Sequence, residues 1–217
     1  MSLRVAVADD AVLMRRGVSR LLDSCGLDVV AEVGTAEDLL QVAAADHLDA
    51  AVVDIRMPPT HTDEGVRALE ALRAAGSPVG VLLLSMYVSV PSALRVLAVG
   101  RGTGYLLKER VADERTLADA VGTVAAGGSV VDPELVAVLS AQRATLRALD
   151  TLTERERDVV RLMAEGRSNR GIATALFVGV KTVETHIAHI MLKLGIDESD
   201  DDHRRVLAVL RWLGRPT

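Results

Sequence analysis

RVAVADD, residues Arg4–Asp10, is a short run of small and β-branched apolar residues that ends in two adjacent carboxylates. The run has the length and composition of a buried strand, and the paired acids mark where that strand leaves the core. Two like charges side by side repel each other, so a cation, a proton or a partner must compensate them. Strand-like runs also occur at Val29–Val33, Ala50–Val53, Val79–Leu84 and Gly104–Leu107, the first one starting at Leu3. Helix-period stretches alternate with them at Leu13–Cys25, Ala36–Ala45, Glu64–Ala75, Ser92–Val99 and Ala112–Ala125. Five such units predict an α/β fold, a five-stranded parallel sheet doubly wound with helices on both faces. A sheet of this kind gathers its ligands at the carboxyl ends of its strands.

The residues at those ends carry the chemistry. The first strand ends at Asp9 and Asp10, the third at Asp54, the fourth at Ser85 and the fifth at Lys108. Taken singly, each has an ordinary use: paired acids after a strand cap helices, a strand-end serine bonds to backbone, and a lone lysine is solvated. Together on one rim they suit a different purpose. Three carboxylates with open positions match Mg²⁺, which prefers oxygen ligands and keeps several waters to share with a phosphate. With Mg²⁺ and Lys108 neutralising charge on the transferring oxygens, one carboxylate can accept a phosphoryl group. Asp54 is the candidate acceptor, because it follows a wholly apolar strand and precedes RMPP, whose prolines stiffen the loop. The glycine-rich GRGTG at Gly100–Gly104 precedes a strand rather than opening a helix, so it reads as a turn and not a phosphate loop.

Composition bounds the rest. Of 217 residues 49% are hydrophobic, enough for ordinary globular cores and too many for disorder. A single cysteine, Cys25, forms no internal disulfide and suits a reducing compartment. The longest apolar run, Val79–Val90, is too short to span a bilayer, so a cytoplasmic protein without membrane partners is expected. The net charge of −5 is divided unevenly: residues 1–140 hold 12 basic and 19 acidic groups, residues 141–217 hold 13 and 11. An acidic part joined to a mildly basic one points to two domains with different partners. The expected division is 1–126, a partly helical linker at 127–150, and a small all-α domain at 151–217.

The blocks VADD, VVDIRMPP, LLLSM and GYLLK, in this order and spacing, resemble the receiver domain of two-component response regulators, a flavodoxin-like fold. The resemblance covers residues 3–126. It implies that Asp9 and Asp10 bind Mg²⁺ with Asp54 and the backbone carbonyl of Arg56, and that Asp54 is phosphorylated by a sensor histidine kinase. It further implies that Ser85 and Tyr105 form a switch pair and that Lys108 contacts the phosphoryl group. Such a protein is not an enzyme acting on a separate substrate; it is a phosphoryl acceptor able to catalyse its own phosphotransfer and dephosphorylation. The alternative from another class is an enzyme with an aspartate nucleophile, of the haloacid-dehalogenase type. That family carries its nucleophile in a DxD after the first strand, whereas here the first strand ends in DD and the candidate nucleophile follows the third.

From Thr153 the signals are all helical. TERE (Thr153–Glu156) is a capping box, SNRGIA opens a second helix at Ser168, and VKTVETHIAHIMLKL a third after the turn FVGV. A further acidic turn is expected at LGIDESDDD, Leu194–Asp202. Two short helices joined by a four-residue turn read as a helix-turn-helix. On the third helix Val183, Ile187, Ile190, Met191 and Leu194 share one face, leaving Lys181, Thr185, Ala188 and His189 on the other. The outer face of such a helix is either merely solvated or available to a DNA groove. Thr185 and Ala188 are small enough to approach base edges, and Lys181 and Lys193 can pair with phosphates. The segment from Leu152 to Ile196 looks like the LuxR-type DNA-binding domain, which behind a receiver implies a NarL/FixJ-type transcriptional regulator. The resemblance places base contacts on Glu184, Thr185 and Ala188 and backbone contacts on Lys181 and Thr182; His186 fits a packed or a phosphate-contacting histidine equally well. It also implies double-stranded DNA with an inverted repeat as partner, and a homodimer when phosphorylated. The last helix, with Val206, Leu207, Val209, Leu210 and Leu213 on an apolar stripe, serves either as core or as a dimer contact through Val206, Leu210 and Leu213. Two residues depart from the family pattern: Gly171 stands where a glutamate usually completes a capping box, and Gly179 where a serine often caps the recognition helix. A remaining possibility is a regulator whose pocket is intact but whose DNA binding ignores phosphate.

Overall fold

The computed structural model describes residues 2–45, 47–197 and 203–214. The chain divides into two compact units, Met1–Val138 and Leu139–Thr217. In the first, β1 (Arg4–Ala8), β2 (Asp28–Val33), β3 (Ala50–Asp54), β4 (Gly80–Ser85), β5 (Thr103–Leu107) and β6 (Ser129–Val131) form one sheet in the order β2-β1-β3-β4-β5-β6. All pairs are parallel. Helices α1 (Val12–Ser24), α2 (Ala36–Ala45), α3 (Glu64–Ala74), α4 (Val90–Val99) and α5 (Glu114–Ala125) are the crossovers, with a 3₁₀ turn at Lys108–Ala112 before α5. The order reverses direction between β1 and β3, the switch point at which doubly wound sheets open a crevice. Strands β3, β4 and β5 are buried along their whole length, as strands covered on both faces must be. Val5, Val7, Val52, Leu82, Leu84 and Leu106 form the core together with Leu117 and Val121 of α5.

The class matches expectation and the strand count does not. Ser129–Val131, expected to belong to a linker, pairs with Thr103–Tyr105 as a sixth strand. The remainder of that stretch forms one regular helix, α6 (Pro133–Asp150). Its run of Ala, Leu, Arg and Gln favours helix without needing a strong apolar stripe.

The second unit is all-α: α7 (Glu154–Ala164), α8 (Asn169–Leu176), α9 (Val180–Lys193) and α10 (Arg204–Leu213). The Thr153–Glu156 capping box forms as the sequence predicts. Val159, Val160, Ile172, Val183, Ile190 and Ala208 build the core, joined by Leu149 from the end of α6 and by Leu152. Residues 198–202 of the expected acidic turn lie outside the described residues. Among the described residues no single helix is long and apolar enough to cross a membrane.

Candidate functional site

The ends of β1, β3 and β5 converge on one pocket. Asp9 is buried, and its two oxygens do different work: Oδ1 accepts from the Ala11 N–H at 2.9 Å, while Oδ2 accepts from Lys108 Nζ at 2.8 Å. Asp9 does not cap α1, whose N-cap is Ala11 without a side-chain bond; it closes the turn before the helix and faces the pocket. Asp54, the last residue of β3, accepts from the same ammonium at 2.8 Å through Oδ2, and its Oδ1 faces the Arg56 N–H at 3.4 Å. Asp10 is more open, with Oδ2 3.4 Å from His61 Nδ1. Asp9, Asp10 and Asp54 bring ligand oxygens within 4.8 Å of one another. One buried ammonium does not balance three carboxylates, and an all-oxygen, hard donor set with open positions fits a divalent cation.

The electrostatics agree with that geometry. Burial pushes the Asp54 carboxyl above its ordinary range, against the bonds from Lys108 that pull it down. Burial alone would lower the Lys108 ammonium, but its bonds to Asp54 and Asp9 outweigh this and hold it above the usual lysine value. The Asp54 carboxylate is thus less stable in its charged form than a free aspartate, which favours any step that places a cation or an electrophile against it.

Ser85 and Tyr105 meet, though not on Asp54. The Ser85 hydroxyl donates to the Tyr87 carbonyl at 2.6 Å, and the Tyr105 hydroxyl donates to the same carbonyl at 2.9 Å while accepting from the Ser89 N–H at 3.1 Å. Tyr105 is fully buried. The Tyr105 ring therefore lies inside, and the loop between β4 and α4 is pinned at Tyr87 by both hydroxyls.

Sequence reasoning missed three supporting residues. Arg15 on α1 donates to the backbone carbonyl of Asp9, fixing the end of β1 from behind. Gly65 packs against the phosphoacceptor candidate so closely that a Cβ would lie 2.1 Å from the Asp54 carbonyl oxygen. Glu64, also buried, closes the loop after Asp54 by accepting from the Thr60 N–H at 3.1 Å, the Thr62 N–H at 2.8 Å and the Thr60 hydroxyl. Only the acid at a helix start, in DEG, hinted at Glu64. Burial by itself would raise its carboxyl, but those donors override it and bring it down to about 2 from 4.5. A depressed carboxyl stabilises the fold above its unfolded value and loses that contribution as pH falls through its folded value. Stability in urea should therefore fall between pH 4.5 and about 2 more steeply in the native chain than in Glu64→Gln. Parallel pH profiles for the two proteins would refute this.

In the second unit α9 divides as its periodicity predicts. Val183, Ile190, Met191 and Leu194 are buried and Ile187 half-buried, whereas Lys181, Thr182, Glu184, Thr185, Ala188 and His189 are exposed. Lys181, Thr182, Thr185, His186 and His189 line a shallow hollow of about 400 Å³. Glu184 and Ala188 line a second with Arg204 and Arg205. Lys193 is a correction: expected to meet a phosphate, it bonds to Glu156 at 2.6 Å and to the Thr151 carbonyl at 3.2 Å. Glu156 is buried in the capping box, and an ammonium that offsets its charge is committed to the fold.

Residues 5–121 match the response regulator receiver domain, and residues 150–201 match the luxR family of bacterial regulatory proteins. The chain belongs to the response regulators. Over 96% of its length the regulator is 31% identical to a nitrate/nitrite response regulator protein homolog of Haemophilus influenzae, covering 95% of that protein. It is 32% identical to the transcriptional regulatory protein DegU of Brevibacillus brevis, over 90% of this chain and 89% of that one. The signal receiver domain of the response regulator NarL from Mycobacterium tuberculosis aligns at 31% identity with a TM-score of 0.52, over 58% of this chain and 98% of that one. The RcsB regulator of Salmonella typhimurium shares the fold, with a TM-score of 0.62 at 23% identity and 98% of both chains covered. A receiver with a LuxR-type domain replaces the dehalogenase-type alternative, since the acceptor candidate ends the third strand and no DxD ends the first.

Two features set the regulator's helical domain apart. Ser168 caps α8 by accepting from the Gly171 N–H at 3.2 Å, but Gly171 returns no side chain to close the box. A Cβ there would meet Arg167 Cβ and Ser168 Oγ at 3.6 Å, an ordinary contact. Gly171→Glu should therefore stabilise the segment from Leu139 onward by about 0.5 to 1.5 kcal/mol, through a restored box and the loss of a helix glycine. Urea unfolding checks it, and equal or lower stability would refute it. On α10, Ala208 is buried and Leu207, Val209 and Trp212 pack against the core, while Val206, Leu210 and Leu213 are exposed on a separate stripe.

Proposed function

We propose that the regulator is a cytoplasmic transcription factor switched by phosphorylation of Asp54 by a sensor histidine kinase. The observation that carries this is the bridge from Lys108 Nζ to both Asp9 and Asp54, set against three carboxylates that share one small volume. Asp54 attacks the phosphorus of the kinase phosphohistidine, the P–N bond breaks with its electron pair going to the imidazole, and an acyl phosphate forms. Asp9, Asp10, Asp54 and the carbonyl of Arg56 would hold Mg²⁺, which supplies charge neutralisation for the phosphoryl oxygens. Lys108 adds a fixed positive charge to the same oxygens, and Ser85 gives up its bond to Tyr87 to meet them.

The receiver comprises residues 1–126 with β6 added to its sheet, and the DNA-binding domain residues 151–217. Lys181 and Thr182 bind phosphates, and Glu184, Thr185, Ala188 and His189 face the major groove. The exposed stripe of Val206, Leu210 and Leu213 pairs with its copy in a two-fold dimer, so the operator is an inverted repeat with half-sites about one helical turn, roughly 10 bp, apart. Selection of operator fragments from random duplexes tests the DNA reading. Recovery of inverted repeats supports it, and recovery of no sequence preference overturns it.

A further inference from the structure

Asp132 is fully buried and lies outside the pocket, and burying a carboxyl group is costly unless its oxygens are bonded. It is the last residue before α6, where a serine or asparagine would cap the helix without that cost. Its two oxygens have separate partners. Oδ1 accepts from the Glu134 N–H at 2.9 Å and so caps α6. Oδ2 accepts from the Leu107 N–H at 3.1 Å, with the Arg110 guanidinium 3.5 Å away. The Asp132 N–H in turn donates to the Tyr105 carbonyl at 2.9 Å. Strand β6 ends at Val131 opposite Tyr105, so Leu107 lies beyond the reach of its ladder. The carboxylate serves as one more rung, on the residue directly before Lys108.

We propose that Asp132 is the positioning residue that ties Lys108 to α6. One oxygen fixes the strand end that carries the pocket's ammonium, the other fixes the first turn of the helix, and the two ends are held by a single rigid group. A change of charge or position at Lys108 when Asp54 is phosphorylated is then felt at the start of α6, which runs on to Asp150, just before the Thr153 cap of the DNA-binding domain. This rests on the phosphorylation reading proposed above.

Asp132→Ser separates the two roles, because a hydroxyl can cap α6 but cannot also reach Leu107. In the full chain the variant should bind a mixed-sequence DNA duplex as the unphosphorylated native protein does, and acetyl phosphate labelling of Asp54 sets the phosphorylated fraction at which the two proteins are compared. The variant's gain in DNA affinity on adding beryllofluoride with Mg²⁺ should fall to nearly one-fold. A gain equal to the native one overturns the proposal; a native protein that shows no gain overturns phosphate gating instead. Should the variant fold poorly, hydrogen exchange on the native chain decides: beryllofluoride should change protection at the Leu107 and Glu134 amides together. A change at Leu107 with none at Glu134 refutes the tie.

Discussion

Asp54→Asn leaves the receiver folded and abolishes its labelling by acetyl phosphate in Mg²⁺. The amide keeps the shape of the carboxyl and an oxygen for Lys108, but it cannot form the acyl phosphate. Stability should hold or rise, because the ionised Asp54 carboxylate is disfavoured by burial and the neutral amide removes that penalty along with one of three crowded charges. The effect on labelling is expected to be all-or-none, since Asp9 is buried more deeply than Asp54, with a closer bond from the Ala11 N–H, while Asp10 lies farther into solvent. Mass spectrometry of intact native and variant protein after acetyl phosphate treatment reads the result. Undiminished labelling of the variant would sink the assignment of Asp54.

The pocket was legible because strand ends are local signals: an apolar run that stops in Asp9–Asp10, Asp54 or Lys108 states both the strand and the position of the polar group on its rim. The recognition helix was legible for the same reason, its buried and exposed faces following from the 3.6-residue period. The features that escaped were non-local. Lys193 lies toward the outer face by periodicity, yet its long stem folds back to Glu156, a partner that no helical wheel includes. Ser129–Val131 is too short for an alternation to register, and only the free edge of β5 makes it a strand. Arg15, Glu64 and Asp132 each act through backbone groups of distant or looped segments, and a backbone N–H or carbonyl carries no signature in the sequence.

Tyr105 shows a different limit. The family resemblance marks it as half of a switch, but which way it points is set by hydrogen-bond partners contributed by backbone. Here the Tyr87 carbonyl and the Ser89 N–H hold the ring inside. In the function proposed above Ser85 is the half that moves: its hydroxyl would leave the Tyr87 carbonyl, and the loop would lose one of the two bonds that pin it.

Phosphorylation should raise the affinity of the full chain for its operator by about 5- to 150-fold, a coupling of about 1 to 3 kcal/mol. A single helix-turn-helix offers few base contacts: in the function proposed above they come from Glu184, Thr185, Ala188 and His189, all exposed on α9. Useful specificity therefore needs two copies, and in the proposed dimer the exposed Val206, Leu210 and Leu213 would pair with their counterparts. The phosphate must act on the receiver, because the helical unit has its own core and its own capping box and needs nothing from the pocket to fold. The segment from Leu139 onward should accordingly bind DNA with an affinity that does not respond to beryllofluoride, while the full chain responds. Gel shifts of both proteins, with and without beryllofluoride and Mg²⁺ at fixed salt, make the comparison; the salt must be fixed because contacts to DNA phosphates weaken as the salt concentration rises. Equal affinity of the full chain in the two conditions would contradict phosphate gating and leave a regulator whose pocket is intact but whose DNA binding is constitutive.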